Sequence, residues 1–298
     1  MLNLIGFLEE NSIRYFENEP MRIHTSFRIG GPARLFVEPQ NEEELALLIK
    51  KCNESKTEYF ILGNGSNLLV NDDGFQGVII HLGRGFDTVE LYDETTIAAL
   101  AGASLSSVCK FALSKGLTGL EFAYGIPGSV GGAAYMNAGA YGGEMKDVVY
   151  SCSHIDEDGK SGLLKGDDLS FGYRKSAYCE NGCVVTKVTF KLKKGVKNDI
   201  EVKMNEILQK RIDKQPLNYP SAGSVFKRPE GYFAGALIEQ CGLKGKSFGG
   251  AAVSEKHAGF IINTGGATCN DVTELIEFCK KTVFDKFKVT LETEIKRI

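Results

Sequence analysis

Apolar positions along the chain follow two periods, and the switch between them marks out the elements. Residues 184–192 alternate: Val184, Thr186, Val188, Phe190 and Leu192 lie on one side, Lys187 and Lys191 on the other, the pattern of a half-buried strand. Shorter runs at 34–38, 58–62, 68–70, 77–82 and 96–101 predict further strands. A helical period takes over at Leu105, Val108, Cys109, Ala112 and Leu113, with Ser104 as N-cap and Gly116 as the stop. Asn41 caps a second helix over 42–52, whose first turn is acidic. Further helices are predicted over about 200–213, with Met204, Ile207, Leu208 and Ile212, and over about 233–241, ended by Gly242. Thr268-x-x-Asp271 has the form of a capping box ahead of a helix with Val272, Leu275, Ile276, Cys279, Val283 and Phe287 inward. An alternating strand over 289–296 closes the pattern and puts Glu292, Glu294 and Lys296 on one face. Strands and helices are mixed throughout, which predicts an α/β or α+β protein.

Composition narrows the function classes. The 298 residues hold 35 Lys+Arg and 38 Asp+Glu, a net charge of −3, with 43% hydrophobic residues. That balance belongs to a globular protein, not a disordered one, and it lacks the basic surplus of a dedicated nucleic-acid binder. The length suggests about two domains. The first residues have no basic leader pattern, and no stretch reaches the ~18 uncharged apolar residues of a membrane helix, so a cytoplasmic protein is expected, with no membrane partner. Eight cysteines (52, 109, 152, 179, 183, 241, 269, 279) are scattered, without C-x-x-C spacing, and the four histidines (24, 81, 154, 257) do not cluster with them. No metal site is expected, and most of these thiols read as reduced core residues.

Glycine is the outlier: there are 35, and the nineteen residues 125–143 hold seven. Two loops stand out. Gly63-Asn64-Gly65-Ser66-Asn67 follows the strand 58–62, and Gly125-Ile126-Pro127-Gly128-Ser129-Val130-Gly131-Gly132 opens the dense segment. Neither fits the dinucleotide fingerprint in context, and no G-x-x-x-x-G-K-[ST] is present. Glycine still lets the backbone approach a ligand closely, and successive amides form an anion cradle. Two such loops in one domain suit a diphosphate held between subdomains; ordinary tight turns are the alternative reading.

More specific are eight motifs in order. They are Thr25-Ser26-Phe27-Arg28-Ile29-Gly30-Gly31-Pro32-Ala33; the loop 63–67 with Leu68-Leu69; the loop 125–132; Asn137-Ala138-Gly139-Ala140-Tyr141-Gly142; Phe171-Gly172-Tyr173-Arg174-Lys175-Ser176; Ala222-Gly223-Ser224-Val225-Phe226-Lys227-Arg228-Pro229; Val253 through Asn263 (VSEKHAGFIIN); and Leu291-Glu292-Thr293-Glu294-Ile295. From about residue 20 to the end, the chain resembles the UDP-N-acetylenolpyruvoylglucosamine reductase family of flavin enzymes in peptidoglycan precursor synthesis.

The resemblance implies an α+β fold: an FAD-binding domain of the vanillyl-alcohol-oxidase or PCMH type in two subdomains, followed by a C-terminal α/β substrate-binding domain. The divisions expected are 1–85, 86–197 and 198–298, with the last strand free to return to the FAD domain. It implies non-covalent FAD, NADPH as co-substrate, and UDP-N-acetylglucosamine enolpyruvate as the molecule reduced. Flavin contacts are expected at Arg28, Gly63, Asn64, Gly65, Ser66, Asn67, Leu68, Gly125, Ile126, Pro127, Gly128, Ser129, Gly131, Gly132, Asn137, Gly139 and Tyr141. By the same resemblance Arg174 holds and polarises the substrate carboxylate, Glu294 helps stabilise the intermediate, and Ser224 protonates carbon. Tyr173, Lys214, Lys227 and Gln240 are secondary substrate-site candidates. The chain departs from the longer branch of the family, whose inserted tyrosine loop closes over substrate: only Cys179-Glu180-Asn181-Gly182-Cys183 separates Tyr178 from Val184. Two rivals are an oxygen-using flavin oxidase on the same cofactor domain and a non-catalytic nucleotide-sugar or flavin binder. The oligomeric state is not fixed by the sequence; a monomer is favoured.

Overall fold

A computed structural model describes residues 2–298. The chain forms two compact units, each assembled from separate stretches of sequence. The first takes residues through Glu17, Leu35–Asn64 and Gly77–Gln209; the second takes Asn18–Arg34, Gly65–Gln76 and Lys210–Ile298.

In the first unit, helix α1 (Leu2–Glu10) buries Leu4 and Leu8. Helix α2 (Glu42–Glu54) starts as its sequence dictates: the Asn41 side chain accepts the Glu44 N–H, and Glu42, Glu43 and Glu44 sit at the positive end of the helix. Its Leu45, Leu48, Ile49 and Cys52, spaced for one face, are fully buried. Strand Tyr59–Leu62 pairs in parallel with Phe75–His81, in the register Tyr59↔Val78 to Leu62↔His81. A five-stranded antiparallel sheet is ordered Ser161–Lys165, Val149–Ile155, Val184–Lys191, Thr96–Leu100, Val89–Asp93. Its central strand is the predicted alternating one. Val185 is buried as well as Val184 and Thr186, so there the chain is covered on both faces. Helix α3 (Leu105–Ser114) is capped by the Ser104 hydroxyl, and Gly116 follows at φ +68° as the predicted stop. A six-residue helix α4 (Val130–Tyr135), capped by Ser129, grows out of the glycine-rich segment, where no helix was expected. Helix α5 (Lys197–Lys214) starts three residues before the predicted 200, and its residues from Lys210 on belong to the second unit. Its buried side includes Ile200, Met204, Ile207 and Arg211, whereas Ile212 is 45% exposed.

In the second unit, helices α6 (Ala234–Gln240) and α7 (Cys269–Phe287) accompany a three-stranded antiparallel sheet of Ser247–Phe248, Ala251–Val253 and Ile261–Asn263. The Thr268–Asp271 capping box is formed as read: Thr268 Oγ1 accepts the Asp271 N–H, and Asp271 Oδ2 accepts the Thr268 N–H, each at 3.0 Å. Val272, Leu275, Ile276, Cys279 and Val283 enter the core, and Phe287 packs on its edge. That core also holds Phe27, Ile29 and Leu69 from the two early segments.

The strand expected over 289–296 is not continuous. Thr293 makes one isolated bridge with Phe226, and only Lys296–Arg297 forms a strand, parallel to Leu68–Leu69. Alternation alone does not make a ladder; the backbone between those points lacks a regular partner.

Candidate active site

The two glycine loops meet within the first unit. Asn64 Nδ2 donates to the Pro127 carbonyl at 3.2 Å. A Cβ added to Gly63 would stand 2.1 Å from Ser129 Oγ, so the Ser129 side chain packs onto the Gly63 backbone in space that a side chain there would fill. Ser129 Oγ also caps α4 by accepting the Gly132 N–H at 3.4 Å. Gly131 is pressed against Ala101, with its N–H donated to the Ala101 carbonyl at 2.8 Å. Among the described residues, the N–H groups of Asn64, Gly128 and Ser129 meet no acceptor within the chain. Backbone donors held together on a glycine scaffold are the donor set a diphosphate requires. The residues present therefore fit a dinucleotide cofactor.

Beyond this loop the chain runs into a second tight feature. Asn137 is fully buried at φ +45°, and Gly139 lies two residues on, in the short pair Gly139–Ala140 with Gly143–Glu144. Tyr141 follows at φ +51° and is 42% exposed.

Arg174 sits in the same unit, at the corner of a turn closed on both sides: Gly172 N–H donates to Lys175 O at 2.9 Å, and Lys175 N–H to Gly172 O at 3.2 Å. Tyr173 and Arg174 are its two central residues. Arg174 has φ +55°, a position that favours glycine or asparagine in such a turn. A long side chain there costs roughly 1–2 kcal/mol. The guanidinium lies 5.1 Å from the Tyr173 ring centre, and Nη2 donates to the Gly139 carbonyl at 3.4 Å. The connection from Tyr178 to Val184 is a turn, with Gly182 at φ +69° and the Cys183 N–H bonded to Asn181 Oδ1.

The remaining predicted residues lie in the second unit. Gly65, at φ +58°, packs so closely on the His24 carbonyl that a Cβ would come within 2.1 Å of that oxygen. The Ser26 N–H donates to Gly65 O at 3.1 Å. Arg28 is exposed at φ +55°. Asn67 fastens this loop to the C-terminal segment: its Nδ2 donates to Glu294 O at 3.2 Å, and its carbonyl accepts the Lys296 N–H at 2.9 Å. Ser66 is half-buried and Leu68 buried, the latter paired with Lys296.

Ser224 and Glu294 are brought onto neighbouring backbones. Residues 225–227 run beside 292–294, with Glu294 N–H to Val225 O at 2.7 Å and Lys227 N–H to Glu292 O at 2.9 Å. Ser224 itself bridges Phe260, following Gly223 at φ +78°. The Lys227 ammonium pairs with the Glu292 carboxylate at 3.1 Å. Lys214 is exposed at the end of α5, and Gln240 is exposed with its carbonyl accepting Lys286 Nζ at 2.6 Å. A cavity of about 610 Å³ in this unit, between residues 212–219 and 252–264, has none of the predicted site residues in its lining. His257, within the VSEKHAGFIIN segment, spends Nδ1 on the Gly259 N–H, and burial pulls its pKa down. His24 Nε2 lies 2.8 Å from the Glu19 carboxylate.

Two residues of this arrangement have no counterpart in the sequence reading as site elements. Asp72 accepts the N–H groups of Cys269 and Asn270 at 2.7 and 3.0 Å, tying residues 65–76 to the start of α7. Ser176, fully buried, donates to the Tyr135 carbonyl at 2.6 Å. For neither does any local sequence signal point to so distant a partner.

Comparison with known proteins identifies the family and the fold. Residues 33–161 match the family described as an FAD binding domain, and residues 215–298 match the UDP-N-acetylenolpyruvoylglucosamine reductase C-terminal domain. The enzyme of that name from Caldanaerobacter subterraneus is 51% identical over 283 residues, covering 95% of this chain and 93% of the relative. The crystal structure of the Thermus caldophilus UDP-N-acetylenolpyruvylglucosamine reductase superposes with a TM-score of 0.81 at 36% identity, covering 96% of this chain and 98% of that one. The Physcomitrella patens BBE-like 1 structure shares the fold over 64% of this chain and 44% of its own length, with TM-score 0.51 at 19% identity. The fold is thus an FAD-binding domain joined to a reductase C-terminal domain, and the chain belongs to the UDP-N-acetylenolpyruvoylglucosamine reductase family.

Proposed function

We propose that Arg174, Ser224 and Glu294 carry the chemistry of the reaction to which this family membership assigns the chain. That reaction is the FAD-dependent reduction of UDP-N-acetylglucosamine enolpyruvate by NADPH, which yields UDP-N-acetylmuramate for peptidoglycan synthesis. FAD held there would supply the redox chemistry, hydride transfer between NADPH and the vinyl ether. The amides of Asn64, Gly128 and Ser129 and the close-packed backbone at Gly63 would hold its diphosphate. The observation that carries the reading is this contact between the two glycine loops, with amide donors left for an anion.

Hydride addition places negative charge on the carbon next to the substrate carboxylate, giving an enolate. The planar Arg174 fork binds that carboxylate in two-point geometry and opposes the growing charge. Its turn presents the guanidinium without backbone slack, at the strain cost of a left-handed arginine. Glu294, in its protonated form, donates a hydrogen bond to the enolate oxygen. The Ser224 hydroxyl passes its proton to the substrate carbon and regains one from solvent. The strand-like pairing of 225–227 with 292–294 supports this division of labour, because it fixes the two backbones that carry Ser224 and Glu294. On the same reading the enzyme is cytoplasmic, and free thiols, five of the eight buried (Cys52, Cys109, Cys152, Cys269 and Cys279), fit that reducing compartment.

The test is to follow the two half-reactions separately by stopped-flow absorbance. Ser224→Ala slows oxidation of the reduced flavin by the enolpyruvyl substrate on the order of 10²–10⁴-fold and spares flavin reduction by NADPH. Native rates in both halves would remove Ser224 from the chemistry. Reduction by substrate-class alcohols in place of NADPH would favour the flavin oxidase.

A further inference from the structure

The geometry points to Asn137 and Ser176 as positioning residues that frame the Tyr173–Arg174 turn from its two ends. This rests on the reading that Arg174 binds the substrate carboxylate, and it adds what holds Arg174 in place.

Asn137 is completely buried, and its side-chain amide is spent within the protein. Nδ2 donates to Glu144 Oε2 at 2.5 Å and to the Gly172 carbonyl at 2.9 Å; Oδ1 accepts the Lys146 N–H at 2.9 Å. Both of its N–H donors are used, so the amide has none left to give a cofactor. One of them falls on Gly172, the first residue of the turn. At the far end Ser176, also completely buried, donates to the Tyr135 carbonyl at 2.6 Å. Residues 135–137 therefore grip 172 and 176 on either side of Arg174. Two residues further along, the Gly139 carbonyl accepts from the guanidinium itself at 3.4 Å.

The frame explains two costs the structure carries. Arg174 is held in a left-handed conformation, which persists only where surrounding contacts over-determine it. Asn137 is itself left-handed, at φ +45°. Its role there is to aim a side-chain amide at the neighbouring turn, a use that suits asparagine, which tolerates that backbone region. Glu144 completes the frame, holding Asn137 Nδ2 with one oxygen while the other pairs with Lys146 Nζ at 2.7 Å.

A double-mutant cycle on the holoenzyme tests this. Asn137→Ala and, independently, Ser176→Ala slow oxidation of reduced flavin by the enolpyruvyl substrate, per bound flavin, by about 10- to 100-fold more than they slow flavin reduction by NADPH. The affinity for the carboxylate-bearing product UDP-N-acetylmuramate, read from the flavin spectrum at equilibrium, falls with it. In an Arg174→Lys background the same substitutions add less than about threefold, since groups acting as one unit are not additive. Full multiplicative effects on top of Arg174→Lys, or equal losses in both half-reactions, overturn the assignment and leave Asn137 as a flavin or folding residue. Native substrate reduction by Arg174→Lys and Arg174→Ala instead retires Arg174 from the chemistry, a different failure visible in the single variants.

Discussion

Gly63→Ala is the sharpest perturbation of the loop contact. The added methyl lies 2.1 Å from Ser129 Oγ and 3.1 Å from Ser129 Cβ. Rotating the hydroxyl aside relieves the first clash but gives up the α4 cap on Gly132, worth about 1 kcal/mol. The second contact remains tight, so the loops must spread, at an overpacking cost of about 1–3 kcal/mol. The sum is about 2–4 kcal/mol. If it falls on the flavin-holding arrangement, the FAD dissociation constant rises about 30- to 700-fold, at 1.4 kcal/mol per factor of ten. Apoprotein titrated with FAD, followed by flavin fluorescence, reads the affinity; urea unfolding of the same sample reads any share taken by stability. A native dissociation constant together with a native urea midpoint refutes the contact between residues 63 and 129.

Three further outcomes follow from local geometry. Gly6→Ala, in α1 with nothing within 4 Å of the new methyl, stabilises by about 0.5–1 kcal/mol in the same urea assay. Asp72→Ala strips the carboxylate from the Cys269 and Asn270 amides and lowers stability by about 1 kcal/mol, an effect Asp72→Asn recovers in part. The Asp271 carboxyl is held below the usual carboxylate range, first by the Thr268 N–H and then by the Gly250 N–H. Its contribution to stability is therefore complete above the unfolded-state value of about 4, and it is lost as pH falls through the lower folded value. Thermal unfolding midpoints of the native protein between pH 6 and pH 3 show this loss, and Asp271→Asn flattens it.

Much of the fold was readable from local chemistry. Helices α2, α3 and α7 carry their caps in sequence, and Asn41, Ser104 and Thr268 each make the bond their position promises. The apolar spacing of each also selects the buried face. What escaped depended on partners far along the chain. Helix α4 hides in a glycine-rich run and owes its start to Ser129, which the opposite loop also touches. The run 289–296 has the rhythm of a strand but finds a regular partner only at its end. Ile212 has the residue type of a core position, yet the face it lies on is open and the neighbouring Arg211 is buried instead. Motif spacing picked out residues 63–67, 125–132 and 173–174 as candidates, and the structure puts the two loops in contact and a tight turn at 172–175. The amide of Asn137 and the hydroxyl of Ser176 were invisible as framing groups, because their acceptors lie 35 and 41 residues away.

The make-up of the second unit bears on how the chain is born. Phe27 and Ile29 have no core of their own: they are buried among residues 222–295, and the Ser26 hydroxyl donates to Ser221 O, 195 residues on. During synthesis these side chains leave the ribosome long before anything exists to cover them. Vectorial, piece-by-piece maturation is closed to this unit, and its early segments spend translation as wet apolar surface that invites chaperones or self-association. Closing so long a span is slow more than it is unfavourable, since the entropy of closure grows only with the logarithm of its length. A nascent chain halted before residue 210 carries every residue of the first unit, together with two segments, 18–34 and 65–76, whose later partners are still unmade.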